Sequence, residues 1–597
     1  MVIFFTKTVC MTLVIALFTG SLNAQDAQPY TTPNVGEKFS FEDLVTHSSG
    51  TVVKEGEIYV MKDNVTISKL DSLVITDDIT VKIFENKVLT INSAYWKVDP
   101  PTQAVFTNYA DGEYYATIRV EEASFVRLNK TTFTYGSGIR VIDSDFEMDS
   151  CIMNNHNFSS QASGAIATMR GKIIVKNSTF KNNVRSAFNS AANIGCTFEI
   201  INCYLENNVT ENSNRPQINV GPCREGEVTK IINNTIIGNR ELTMVGGIST
   251  SSLLAVPTSF LIENNTVIDN RYGITLTGTN IIGTIRGNTL ADNNTQNNPA
   301  LGGSGINVTA SAGNVHTVIT ENTISGNLWG ITLVGNTSNF SAGPTANIGN
   351  ISVPENDPEY NIGRNIFFDN GNNGELFDLF NNNPNDVMAQ NNNWGVPEQT
   401  EELIRTVIRD KANDSRYGIV TFMPPYIIEE ECNPATNLMA DYAISSCTVL
   451  LSWDAAENMP DAEYNVYENG ILIATVGGGP EYYYTVTVEP RIEYTYAVKT
   501  VCAEGEAAAI EIIVFCDKES VNELTNNISI FPNPASNTIT ISAKEFVKVE
   551  VYNAFGQLIE VATTDILDVS SYNTGIYFFK VFDINNYTVT KKITIVR

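Results

Sequence analysis

The chain has 597 residues, 43% of them apolar, and carries 66 acidic against 37 basic side chains for a formal charge of -29. That length holds about three domains, or one elongated repeat domain with appendages. The charge argues against a nucleic-acid partner, because gripping a phosphate backbone rests on clustered Lys and Arg; it also disfavours an acidic polymer unless a local basic patch or a divalent cation intervenes.

Residues 1–24 combine Lys7, an apolar run from Val9 to Phe18 and a small-residue exit at Ala24. About ten apolar residues are too few to cross a bilayer, so the segment reads as a secretory signal peptide. No later stretch approaches the length of a membrane-spanning helix, and the mature chain is expected to have no transmembrane segment. Export permits disulfides. Of the cysteines beyond Cys10, four (Cys432, Cys447, Cys502 and Cys516) flank one stretch, where at least one bridge is expected and the pairing stays open. His47, His156 and His316 lack metal-ligand spacing.

After an N-terminal segment and cap (25–57), residues 58–425 repeat one phrase: DSCIMNN (149–155), NSTFKNN (177–183), NCYLENN (202–208), NNTIIGN (233–239), NNTVIDN (264–270), GNTLADN (287–293), ENTISGN (321–327) and, more loosely, RNIFFDN (364–370). Its final Asn falls at 155, 183, 208, 239, 270, 293 and 327, with steps of 23 to 34 residues, so a fixed unit alternates with loops of variable length. A second phrase lies between copies: GIRV from Gly138, GIST from Gly247, GITL from Gly273, GINV from Gly305 and GITL from Gly330. Each unit therefore holds three short strands of period two, separated by Asn- and Gly-rich turns. That is the arithmetic of a parallel β-helix whose coils stack at ~4.8 Å. Ile236, Val267, Leu290 and Ile324 are expected to form an inward column, and the Asn residues to turn the chain and ladder from coil to coil. Cys151 aligns with Thr in other copies and reads as a packed thiol. Asn-Asn-Trp-Gly at 392–395, followed by a short helix at about 398–408 with Leu403, Ile404, Val407 and Ile408 on one side, closes the stack.

On these phrases the chain resembles the right-handed parallel β-helix superfamily that includes pectate lyases, other polysaccharide lyases and hydrolases, and many surface proteins. Residues 432–518, with VLLSWD and the hairpin YNVYENGILIATV turning at Asn469-Gly470, resemble a fibronectin type III-like β-sandwich. Residues 525–597 carry FPNP (531–534), YNAFGQ (552–557) and GIY (575–577), and resemble the C-terminal sorting domain of type IX secretion cargo in Bacteroidota. That resemblance implies a small β-sandwich, the type IX secretion machinery as partner, and delivery to the cell surface or medium. The expected class is all-β: a right-handed parallel β-helix followed by two small β-sandwiches.

Chemistry on such a helix needs convergent charged groups: paired carboxylates for hydrolysis, or a base with a cation for lyase action. The outward residues of the Gly-Ile strands are Arg140, Ser249, Thr275, Asn307 and Thr332, joined by Asn219 of the related QINV, a neutral polar strip after its first member. No catalytic or cofactor-binding residue emerges. Asp143, Asp145, Glu147 and Asp149 alternate, which predicts one shared strand face, and are the candidate calcium ligands; a solvated edge is the competing reading. Asp269 and Arg271 flank the turn at Asn270 with Glu263 near in sequence, which predicts a turn ion pair. Two functions stay open. One is a glycan-binding or adhesive surface protein whose partner is a polysaccharide or host surface glycan; the other is a polysaccharide lyase or glycoside hydrolase acting on the helix flank.

Overall fold

The computed structural model describes residues 27–157, 163–310, 312–372, 375–428, 432–443, 445–457, 459, 461–477, 482–502, 505–517, 528–584 and 588–597. The signal-peptide reading lies outside them. The architecture is all-β and divides into two units, 1–428 and 429–597.

In the first unit the period-two strands join three long sheets of 14, 14 and 13 strands, most strands pairing in parallel with the one three strands further on, while Val52–Glu55 pairs antiparallel with Ile58–Met61 at the start. One coil shows the plan. Ile274–Gly278 lies in the first sheet, Ile281–Arg286 in the second and Thr289–Ala291 in the third; Ser304–Thr309 then returns to the first, pairing Ile306 with Ile274 in parallel. This is a parallel β-helix. Inward side chains stack in register, Ile236 on Val267, Leu290, Ile324 and Phe367, and all five are buried. The parallel ladders already include Tyr30–Thr31 and Lys38–Phe39, upstream of Ile58 where the sequence placed the first coil. The cap contains helix α1 (Phe41–His47), which the sequence reading lacked: seven residues are too few for a periodic signal, and the Ser40/Asp43 capping box was the available cue. Its Phe41 and Leu44 bury against the first coils, with the Phe41 ring 5.6 Å from Tyr59 and 5.9 Å from Phe106.

The Asn phrase builds two interior ladders, one at each corner of the third sheet. At the first corner Asn234, Asn265, Asn288, Asn322, Asn365 and Asn392 are buried, and each Nδ2 donates to Oδ1 of the next at 2.8–2.9 Å. The residue before each rung turns the chain: Asn233, Asn264, Glu321, Arg364 and Asn391 have φ between 54° and 58°, and Gly287 has φ 65°. The Asn-x-Thr pattern thus has a geometric origin, an exposed left-handed turn residue, a rung, then a strand. Earlier coils place Cys151, Ser178 and Cys203 at this corner, Cys151 N donating to Ser178 Oγ at 3.0 Å and Cys203 N to Asn234 Oδ1 at 2.8 Å. Cys151 therefore matches Ser178 rather than Thr179, and the first phrase is shifted by one residue. Burial pushes the Cys151, Cys196 and Cys203 thiols up to about 12.

At the second corner the same shift puts His156, not Asn155, on the ladder, its backbone N donating to Asn183 Oδ1. The series continues Asn183, Asn208, Gln217, Asn270, Asn293, Asn327 and Asn370. Asn239 is missing from it. It turns outward to Asn207, and Gln217 reaches in from the first sheet to fill the rung. The ladder ends on Asp378, whose carboxylate accepts from Asn370 Nδ2 at 3.1 Å and Gly395 N at 2.7 Å. Burial nevertheless raises its pKa to about 6, while those two donors pull it down. His156, at the other end, is pushed down to about 4 by burial, with the Gly136 and Phe133 carbonyls pulling it up.

Trp394 closes the stack, buried and parallel to Phe367 at 5.0 Å. Helix α2 (Glu401–Val407) is shorter than the sequence suggested. Thr400 caps it, Ile404 and Val407 are buried, Leu403 is half-buried, and Ile408 has already entered the first sheet. No helix among the described residues is long and apolar enough to cross a membrane.

The second unit holds two antiparallel sandwiches. In one, Thr436–Ala443, Thr448–Asp454 and Tyr482–Thr487 form a sheet whose inner side chains, Val449, Leu451 and Trp453, share a core with Tyr464, Val466, Tyr496 and Val498 of the other sheet. Asn469 and Gly470 have φ of 51° and 82°, the signature of the tight hairpin turn expected there. Two disulfides form, Cys432–Cys502 and Cys447–Cys516. In the other, a three-stranded and a four-stranded sheet enclose Ile539, Val549, Val551, Phe579 and Ile593.

Candidate functional site: a groove on the first sheet

The first sheet sets its outward residues in one straight column. Arg140, Ala167, Asn189, Asn219, Ser249, Thr275, Asn307, Thr332 and Phe380 are in register, so all six residues picked from the sequence fall on one line. The column is hydrogen-bonded to itself: Asn219 Nδ2 to Asn189 Oδ1 at 2.7 Å, Thr275 Oγ1 to Asn307 Oδ1 at 3.0 Å, and Asn307 Nδ2 to Thr332 Oγ1 at 2.7 Å. Fixed amides and hydroxyls of this kind meet a polar ligand without first losing side-chain freedom.

Over Thr275, Asn307 and Thr332 the sheet floors a groove of about 680 Å³. The insertion after Asn294, one of the long loops conspicuous in the sequence, supplies Pro299, Ala300, Leu301 and Gly302 to its lining. Trp329 and Phe380 line it too. Trp329 Nε1 donates to the Pro299 carbonyl at 2.9 Å, and its ring stacks on Phe377 and Phe380, both at 5.4 Å. Beyond them Phe380 meets Tyr417, which meets Phe340 of the second long insertion, each pair at 5.7 Å. This aromatic cluster was invisible in the repeat, because Trp329 precedes its phrase and Phe377 and Phe380 come from an irregular late coil.

Among the described residues the groove lining contains no Asp, Glu, Lys or His. Its ionisable members are Arg271 and Tyr272, and burial pushes the Tyr272 phenol up to about 12, against the pull of Arg271. A phenol so raised is a poor proton acceptor at neutral pH. The paired carboxylates of a glycosidase are not brought together there. The outer face of the second sheet is different in kind: Arg127 pairs with Glu147 at 2.5 Å, and Lys172 and Lys230 with Glu199 at 2.9 and 3.6 Å. Charges that neutralise one another at an exposed surface serve solvation more than recognition.

The four acidic candidates for calcium do not share one strand face. Only Phe146–Asp149 is strand, so Glu147 and Asp149 point outward together while Asp143, at φ 49°, and Asp145 lie in the preceding turn. A left-handed residue resets the alternation that the sequence pattern assumed. Each carboxylate is engaged separately: Asp143 by Arg170, Asp145 by Lys172 N at 2.8 Å, Glu147 by Arg127, and Asp149 by Asn177 Nδ2 at 2.9 Å. Among the described residues no group of three or more His, Cys, Asp or Glu is placed to hold a metal ion. The expected Asp269–Arg271 pair is also corrected. Asp269 binds Arg240 at 2.6 Å, Glu263 binds Arg286, and Arg271 lines the groove instead.

The fold and groove define a class: an all-β protein with a long parallel β-helix bearing a neutral, aromatic-ended groove, followed by small antiparallel sandwiches. Within it, residues 529–596 match the family described as a secretion system C-terminal sorting domain. That match implies export by the type IX route, contact with its machinery, and a cell-surface or secreted location. No curated protein matches the chain. Among solved structures it is similar to the central fibronectin-III array of RIM-binding protein, at 12% identity over 28% of this chain and 70% of that one, with a TM-score of 0.13. It is also similar to the BSP domain of a biofilm associated protein (15%, 27% and 29%, TM-score 0.16) and to the fibronectin(III)-like modules of Clostridium thermocellum CbhA (13%, 27% and 93%, TM-score 0.13). At those TM-scores the likenesses decide nothing about fold or activity.

Proposed function

We propose that this exported protein is a glycan-binding surface protein, and that the groove on the first sheet is where a sugar chain lies. The observation that carries the reading is the aromatic platform of Trp329 and Phe380 beside a self-bonded row of Thr275, Asn307 and Thr332. A sugar ring offers an apolar face to stack on an aromatic ring and hydroxyls to exchange hydrogen bonds with amides and hydroxyls. The helix runs along repeated coils, so a chain of sugars has a matching linear surface. In this reading residues 1–24 are the signal peptide, 58–425 a right-handed helix, 432–518 a fibronectin type III-like spacer and 525–597 the sorting tail; the partner is a polysaccharide or a host or neighbour-cell glycan.

The test is a glycan array probed with the mature protein and with Trp329→Ala. Wild-type binding to a defined set of glycans, weakened about 5- to 30-fold in the variant, is the expected result, since one stacked aromatic contributes about 1–2 kcal/mol. Shortened or unsaturated products released from the bound glycans would replace the binding reading with an enzymatic one.

A further inference from the structure

Among the described residues Arg271 is the one cation in the groove, and it is only 7% exposed. Its guanidinium donates to two neutral acceptors, Asn214 Oδ1 and the Leu301 carbonyl at 2.5 Å. Its Nε is buried with no acceptor. No carboxylate among the described residues lies within 4.0 Å of it, although the protein carries 66 acidic side chains. The nearest in sequence, Asp269, is held by Arg240. Removing a guanidinium from water without a counter-charge is unfavourable, and folded proteins ordinarily pair such a group. Gly302 packs close against it: a Cβ at that position would lie 3.1 Å from Nε and 3.2 Å from Cγ of Arg271, so the loop that walls the groove is seated on this side chain.

Resting on the groove reading above, we infer that the glycan carries isolated anionic substituents, a uronate carboxylate or a sulfate ester, one of which completes the Arg271 site while neighbouring neutral sugars lie over Thr275, Asn307 and Trp329. The anion is sparse rather than continuous. Among the described residues a single guanidinium lines the groove, and the formal charge of -29 repels a polyanion at range.

The test is an array displaying neutral glucans and mannans, the same backbones with occasional glucuronate or sulfate ester, and polyuronates, probed with the full mature chain, Arg271→Met, Arg271→Lys and Trp329→Ala. Expected is binding to one or both sparsely charged sets about tenfold or more above the neutral set, the size of one charge-assisted contact. Arg271→Met abolishes that preference, Arg271→Lys keeps part of it, and Trp329→Ala weakens every class. The glucuronate and sulfate arms separate the two sources of charge. Equal binding of neutral and sparsely charged chains, strongest binding to polyuronate, or a preference that survives Arg271→Met overturns the inference while leaving the groove reading intact. Binding untouched by Trp329→Ala, or a blank array, overturns the groove reading and the inference with it. Arg271→Gln, which retains an amide donor for the Leu301 carbonyl, replaces the Met variant if that one fails to fold by circular dichroism.

Discussion

Truncating one rung of the first ladder, Asn288→Ala, should open the helix locally. Asn288 Oδ1 accepts from both Asn265 N and Asn265 Nδ2 at 2.9 Å, and its own Nδ2 serves Asn322 Oδ1 at 2.9 Å and the Ile262 and Arg286 carbonyls at 3.0 Å. In the variant Asn265 Nδ2 keeps the Ile231 carbonyl at 2.8 Å, but the Asn265 backbone N–H is left without its acceptor. An orphaned buried donor costs about 1–3 kcal/mol, and the weakened acceptors and small void bring the total to about 3–5 kcal/mol. Coils that contact only their neighbours unfold in steps, so a single global midpoint would blur this loss. Amide hydrogen exchange on peptides spanning 258–292 reads it directly, as a fall in the free energy of local opening. The control is Asn264→Ala, the exposed turn residue just before the neighbouring rung Asn265, at φ 54°, where the expected cost is about 1–2 kcal/mol of left-handed strain. If the two variants lose the same protection, or Asn288→Ala loses less than about 1 kcal/mol, the ladder is not what holds the coils in place.

The ends of the second ladder predict opposite pH responses. Asp378 has a folded pKa raised to about 6, so the stability it lends at low pH is lost as pH rises from about 4 through 6; the thermal midpoint of wild type relative to Asp378→Asn should fall across that window. His156 is held neutral, with a folded value near 4, so the unfolded chain takes its proton first and stability drops as pH falls below about 6.5; His156→Asn, which supplies an amide to the rung, should flatten that drop in a pH series of thermal scans. Reducing Cys432–Cys502 and Cys447–Cys516, whose partners are 70 and 69 residues apart in sequence, should lower the stability of the first sandwich by up to roughly 4 kcal/mol per bridge, read as a fall in its thermal midpoint with the helix transition unmoved on the same calorimetric trace.

Much of the helix was legible because its period is written in few letters. Ile236, Val267, Leu290 and Ile324 stack as the phrase alignment requires, and the strip from Arg140 to Thr332 lies in register. The errors come where one residue replaces another's role in space. Gln217 fills the rung Asn239 vacates, a substitution between different strands that no linear alignment exposes. Asp143 breaks the period-two rule by turning left-handed, so four alternating carboxylates split between a turn and a strand. The groove was half legible: its floor is periodic and its walls are not. Trp329, Phe380 and Arg271 line one groove because coils 25 to 48 residues apart in sequence stack directly, and insertions lean over them.

In four successive coils the two ladders are five residues apart: Asn265 and Asn270, Asn288 and Asn293, Asn322 and Asn327, Asn365 and Asn370. An insertion or deletion inside those five residues would pull one rung off its ladder, whereas the segments on either side of the first sheet already vary in length. Variation is thereby steered to the groove rim. A chain built this way can acquire a new recognition surface by lengthening a loop, with the core geometry passed on unaltered from one variant to the next.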